Sequence, residues 1–349
     1  MSGIVDTTHE ENTTTKLPRR RVYGLVLMSL GGFYVVLSNV LVQLIHQHSY
    51  VDISSVTLLY MRSLFTTFLA VLVMFLGRVH PAPSRSACFK LTILGLAGVG
   101  GILFMYLALA HMPVGDVTII QFTAPFFTTI LSVLFLSQKL TFVDVICGVF
   151  SFLGLLIMTR PTLVFGEEDI DSREISECIT GESDVANAHN HSDYMLGAFY
   201  ALLGSVLVSI FYILSKICGK QGDVMLIIFY TGLVGMLLPT GVNLVRQQPY
   251  VFGHQWDIWI LLMLIGLLSF VHLMFVAESL QFEEAGPVAL VRNADCVYAF
   301  VLQYTILGVV PKPLTLMGAT MVVIATTCMG GYRYYCAKKQ QSFNQSHSR

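Results

Sequence analysis

The sequence predicts an all-α integral membrane protein whose ten transmembrane helices form two inverted halves of five. Three observations carry that fold class. Of 349 residues, 55% are apolar and only 12% are Asp, Glu, Lys or Arg, with a mean hydropathy of +0.71, whereas a soluble domain carries about 25% charged residues. Ten stretches approach the roughly 20 predominantly apolar residues that cross a hydrocarbon core. An acidic segment, residues 160–193, divides those ten stretches five and five.

The elements follow in chain order. Residues 1–21 are polar and end in Lys16-Leu17-Pro18-Arg19-Arg20-Arg21, and no small-residue cleavage site follows the first apolar run. They read as a cytosolic tail ahead of a signal anchor. The first half, 22–159, holds spans at 22–46, 54–77, 91–110, 117–136 and 140–159. In the linker 160–193, Glu167, Glu168, Asp169, Asp171, Glu174, Glu177, Glu182, Asp184 and Asp193 face a single internal Arg173, so it is expected as a solvated non-cytosolic segment. The second half, 194–332, holds spans at 194–217, 224–245, 258–280, 287–309 and 314–332, and 333–349 is a second cytosolic tail. This orientation leaves only Arg160, Arg173, Arg246 and Lys312 on the non-cytosolic side, as the positive-inside rule requires. The other connections are too short to house a catalytic domain, so function is expected inside the helix bundle.

The two halves also share a register. At an offset of 170 to 173, Gly24 and Gly31 fall on Gly197 and Gly204, Tyr60 on Tyr230, Ala108 on Glu278, Gly115 on Ala285 and Gly148 on Gly318. An odd number of spans per half turns the second half upside down relative to the first. Inverted five-helix repeats are a transporter architecture, with binding expected at the midplane between the halves.

The residues carrying this register are recognisable. Gly115-Asp116-Val117-Thr118-Ile119-Ile120-Gln121-Phe122-Thr123-Ala124-Pro125, continuing to Lys139 and closing at Arg160-Pro161, resembles the EamA repeat of the drug/metabolite transporter superfamily. Its counterpart is Glu283-Glu284-Ala285-Gly286-Pro287-Val288-Ala289-Leu290-Val291-Arg292-Asn293-Ala294-Asp295. Within that superfamily the pair is most similar to the G branch of solute carrier family 35, over nearly all of residues 22–332. The resemblance implies two EamA repeats and a carrier, and leaves the solute open. The chain departs from many relatives in carrying Gln138 where they place an acidic residue before the lysine.

An ionisable group at membrane depth is a functional candidate, because it must be paired or face water. Arg62 sits eight residues into the second span, and Arg292 and Asp295 lie three apart on the ninth, where they share a face and can pair. Guanidinium groups match carboxylate and phosphate geometry, so a cavity holding them is expected to select a small organic anion. Asp295 would then release Arg292 to the solute or take a coupling proton. Lys216 and Glu278 lie near the cytosolic ends of their spans, where extended stems reach the interface. Gln121 and Asn293 are neutral hydrogen-bonding candidates for the site, and Tyr60 and Tyr230 occupy matching repeat positions. Pro125 inside the fourth span and Gly286-Pro287 opening the ninth are candidate helix breaks or gates. The small stripe Ala201, Ser205 and Ser209 reads as a helix contact.

Other classes are excluded. A formal net charge of −1 gives no basic excess for nucleic acid. Seven scattered cysteines without a CxxC pair suggest neither disulfides nor zinc, and the histidines show no metal-ligand spacing beyond two His-x-His pairs. No P-loop is present, and nothing at membrane depth resembles an enzyme's site, so no cofactor is expected. The expected partners are a small-molecule solute and the lipid bilayer. A homodimer or a regulatory membrane partner stays open, as does the alternative of a non-transporting regulator of a pump, channel or sensor. Both termini are expected in the cytosol, and span lengths fit the plasma membrane or the endoplasmic reticulum and Golgi alike.

Overall fold

The computed structural model of the chain describes residues 17–48, 55–77, 84–109, 111–112, 114–138, 141–159, 191–221, 224–246, 256–307 and 313–347. The two predicted tails lie partly, and the predicted linker mostly, outside the described residues, as do Lys139 and Arg160. Among the described residues every regular element is helical.

The helices are α1 (Leu17–His48), α2 (Ser55–Gly77), α3 (Arg85–Leu109), α4 (Val114–Gln121), α5 (Ala124–Leu136), α6 (Phe142–Thr159), α7 (His191–Gln221), α8 (Val224–Arg246), α9 (Trp256–Phe282), α10 (Ala285–Val291), α11 (Asp295–Leu302) and α12 (Pro313–His347). Among the described residues, seven helical segments are long and apolar enough to cross a membrane, by length and composition, and α5 and α6 supply shorter apolar helices. Their outward faces carry Phe75, Phe135, Phe142, Leu244 and Trp256, each at least 70% exposed, as a lipid-facing surface requires. α12 runs unbroken from the predicted tenth span through the predicted tail to His347.

The two halves interdigitate. α1 packs on α9, α2 on α8, α3 on α7 and α6 on α12, so each long helix of the first half has its main partner in the second. Close approach is bought with small residues. A Cβ on Gly101 would lie 3.2 Å from the Gly204 carbonyl and 2.8 Å from Val208 Cγ2, so α3 and α7 touch backbone to side chain. Ser205 and Ser209 are fully buried in the same helix, and Ser209 Oγ donates at 2.8 Å to the Ala124 carbonyl.

The fourth and ninth predicted spans are both discontinuous, and at matching points. The fourth breaks at Phe122 and Thr123, between α4 and α5; the ninth breaks in a 3-10 turn at Arg292–Ala294, between α10 and α11. The two breaks stand 170 residues apart, which is the repeat offset. Pro125 does not kink a continuous helix: it lies in the first turn of α5, where its missing N–H would have no helical partner. Pro287 similarly lies in the first turn of α10, with Gly286 beside it and both buried.

Candidate functional site

Helix breaks expose backbone and turn side chains toward the bundle axis, and here both breaks meet one cavity of about 200 Å³. Its walls come from both halves: α1, α2, α3 and the α4–α5 break on one side, and α7, α9 and the α10–α11 break on the other. Along α1, α2 and α3 the lining residues favour the parts of the helices away from the end where the chain enters α1, while on α9 they straddle its middle. Asn39, Arg62 and Tyr106 stand well toward that far end.

Of the residues singled out from sequence, Arg62, Gln121, Asn293, Arg292, Asp295 and Pro125 all line this cavity. Tyr60 and Tyr230 are not among its lining residues. Tyr60 packs with Leu58, Met61 and Ile258, and the Tyr230 hydroxyl donates to Cys88 Sγ at 3.1 Å. Gly286 and Pro287 lie below the cavity in α10, a turn before Arg292.

The charges are arranged unevenly. Arg292 Nε stands 3.9 Å from Asp295 Oδ2, a loose contact, with the two side chains 32% and 14% exposed. Tyr212 of α7 lines the cavity together with Arg292. Among the described residues no carboxylate pairs with Arg62, so the cavity holds two guanidinium groups against one carboxylate. His272, which sequence reading left outside the site, lines the same wall. Its Nδ1 lies 2.8 Å from the Gly31 carbonyl, which can only accept, so this bond assigns the proton to Nδ1 and leaves Nε2 an acceptor in the neutral ring. Arg62, Tyr212, His272 and Arg292 also border a second cavity of about 110 Å³, and so form the neck between the two.

A second polar cluster lies at the opposite end of the bundle, beside the start of α1, and its Asp144 and Arg333 were not singled out from sequence. Arg333 is 5% exposed and bonds Asp144 twice, Nε to Oδ1 at 3.2 Å and Nη2 to Oδ2 at 2.5 Å. Its Nη1 donates to Glu284 Oε2 at 2.6 Å, with Glu283 Oε1 at 3.9 Å. Burial alone would lower the Arg333 guanidinium, but Asp144 and Glu284, by charge and by hydrogen bond, more than offset it and hold it above its ordinary value. Lys216 corrects an expectation: instead of extending to the interface it is 5% exposed, and its Nζ donates to the Leu280 carbonyl at 2.5 Å and to that of Glu283. The available signal was Asp144, a carboxylate in the first turn of the fifth span.

Comparison with known proteins adds the following. The model of the EamA-like transporter family matches residues 22–160 and 195–331. The chain is 29% identical over 257 residues to mouse solute carrier family 35 member G1, covering 72% of this chain and 63% of that protein, so it spans less than two thirds of that relative's length. It is 25% identical to the human protein of the same name, covering 89% of this chain and 81% of that one. It is 23% identical to the pseudopaline exporter CntI of Pseudomonas aeruginosa, covering 86% and 94% respectively. A solved crystal structure superposes with a TM-score of 0.65 at 14% identity, over 86% of this chain and 96% of that one, which shows a shared fold.

Proposed function

The chain belongs to the EamA-like transporter family, and we propose that it is a multi-pass membrane secondary carrier of a small organic anion. It works by alternating access around the cavity between its halves. The observation carrying this reading is the convergence of Arg62 and Arg292 on one cavity that holds a single carboxylate, Asp295. Two fixed cations against one anion leave a net positive site in a low-dielectric setting, which favours an anionic solute and disfavours a cation. Ten spans in two inverted EamA repeats, with both termini in the cytosol, fit the matched helix breaks and the pairing of each long helix across the halves. Relatives described as an exporter and as an S-adenosylmethionine uptake transporter differ in direction, so direction is read from this chain's own assay.

The test is untargeted metabolite profiling of medium and lysate from cells expressing the parent chain or Arg292→Ala at matched membrane abundance. One class of organic anion should move with the parent and fall to background in the variant. Anion transport fully retained in Arg292→Ala, or movement of a neutral or cationic solute instead, overturns the reading.

A further inference from the structure

We infer that Arg333 and Lys216 are positioning residues for the transport cycle: together they clamp the α9–α10 turn and hold the cavity shut at the end of the bundle where the chain enters α1. This inference rests on the alternating-access reading above and adds which way the resting cavity faces.

The clamped turn is Glu283-Glu284, and it is gripped from several elements at once. From α12, Arg333 bonds Glu284 at 2.6 Å while its other two nitrogens hold Asp144 at the start of α6. From α7, the Lys216 ammonium bonds the carbonyls of Leu280 and Glu283, the last residues of α9 and the turn itself. From the end of α5, Gln138 Oε1 accepts the Ala285 N–H at 3.1 Å. The turn therefore joins α5 and α6 of the first half to α7, α9, α10 and α12 of the second.

What the turn carries makes the grip consequential. It connects α9, which presents His272 to the cavity, directly to α10, which ends at Arg292. A swing of this hairpin would move one wall of the cavity together with its charges. At the far end, Asp116 in the first turn of α4 accepts a hydrogen bond from the Tyr194 hydroxyl at 2.9 Å. A phenol O–H does there what a guanidinium and an ammonium do at the near end.

The chemistry suits a latch better than a permanent brace. Taking buried charges out of water largely cancels their mutual attraction, so such a cluster adds little net stability while its geometry remains demanding. Opening the near end lets water rehydrate Asp144, Glu284 and Arg333, so the broken state is also accessible. Two arrangements of similar free energy are what a carrier's gate requires. Removing Arg333 strands carboxylates in the closed state only, and so shifts the balance toward the open one.

Side-specific thiol labelling tests this without a known solute. Gln121 is half-buried at the cavity wall near the bundle's middle. The full-length Gln121→Cys variant is labelled with a membrane-impermeant maleimide in right-side-out and inside-out vesicles, and the parent chain is labelled in parallel to subtract native cysteines. With Arg333 intact, labelling of the introduced thiol is expected mainly from the face opposite the start of α1. Adding Arg333→Gln should raise labelling several-fold from the near face and lower it from the far face. Glu284→Gln, which leaves the Arg333–Asp144 pair in place, should shift it in the same direction by less, and it serves where Arg333→Gln is poorly expressed. An unchanged sidedness in both variants overturns the latch, as does predominant near-face labelling with Arg333 intact. Because labelling needs no substrate, a failed anion assay with a shifted labelling pattern would sink only the substrate reading.

Discussion

Gly32 on α1 lies against the carboxylate of Asp295: a Cβ added at Gly32 would collide with Asp295 Oδ1. The absence of a side chain at position 32 is therefore part of how Asp295 is placed beside Arg292. Overpacking of this kind typically costs about 1–3 kcal/mol. Here the cheapest relief is a rotation of Asp295 away from α1. Gly32→Ala should reach the membrane at near-parental abundance and lose at least tenfold in transport, measured as initial rate per molecule. A rate within twofold of the parent would mean that Asp295 can move without consequence.

Asp295 itself sets the cavity's net charge. With Arg62 and Arg292 unchanged, Asp295→Asn removes the one carboxylate among the cavity's lining residues and strengthens the hold on an anion. The expected result is a KM lowered roughly tenfold, the equivalent of about 1.4 kcal/mol, and a reduced maximal rate, because a solute held too tightly leaves slowly. Concentration dependence of initial uptake separates the two effects. An unchanged KM would show that Asp295 carries no charge in the loaded cavity.

The contact between α3 and α7 bears first on stability. Gly101→Leu would drive a side chain into the Gly204 carbonyl and Val208. Destabilisation of about 1–3 kcal/mol or more is expected, read as earlier loss of monodisperse protein on heating in detergent. The same substitution at Gly241, where an added Cβ meets nothing within 4 Å, should leave that midpoint almost unchanged.

How much of this was readable beforehand depends on whether the signal was local. Apolar length pointed to a helical membrane protein, and seven helical segments among the described residues are long and apolar enough to cross a membrane; the rarity of intramembrane charge picked out Arg62, Arg292 and Asp295, all of which line the cavity. The repeat offset set Gly115 on Ala285, and the two stand at the starts of α4 and α10, but it says nothing about which helical face looks inward, and so Tyr60 and Tyr230 were chosen and lie elsewhere. The latch was the least legible. Asp144, Glu284 and Arg333 are far apart in the chain and each sits at a span end, where a charge ordinarily meets water. The burial of Asp144 and Arg333, and the approach of Glu284 to them, emerge only from the packing of α6 against α12 beside the α9–α10 turn. His272 was overlooked because a lone histidine in a span carries no spacing signal, and its role depends on the Gly31 carbonyl that fixes its tautomer.

Arg62 offers the sharpest test of what the cavity recognises. Its guanidinium lines both cavities, and among the described residues it has no carboxylate partner, so its charge is available to a solute. If only charge matters, Arg62→Lys should transport like the parent and Arg62→Ala should fail. If the solute's anionic group is gripped by the planar fork, lysine is a poor substitute, since it offers a point charge and cannot make two parallel hydrogen bonds in one plane. The second outcome is expected: Arg62→Lys should raise KM about tenfold, a difference near 1.4 kcal/mol, with abundance and maximal rate little changed. Arg62→Ala should lose transport altogether. Parental kinetics in Arg62→Ala would remove Arg62 from the site and leave Arg292 as the cation the anion meets.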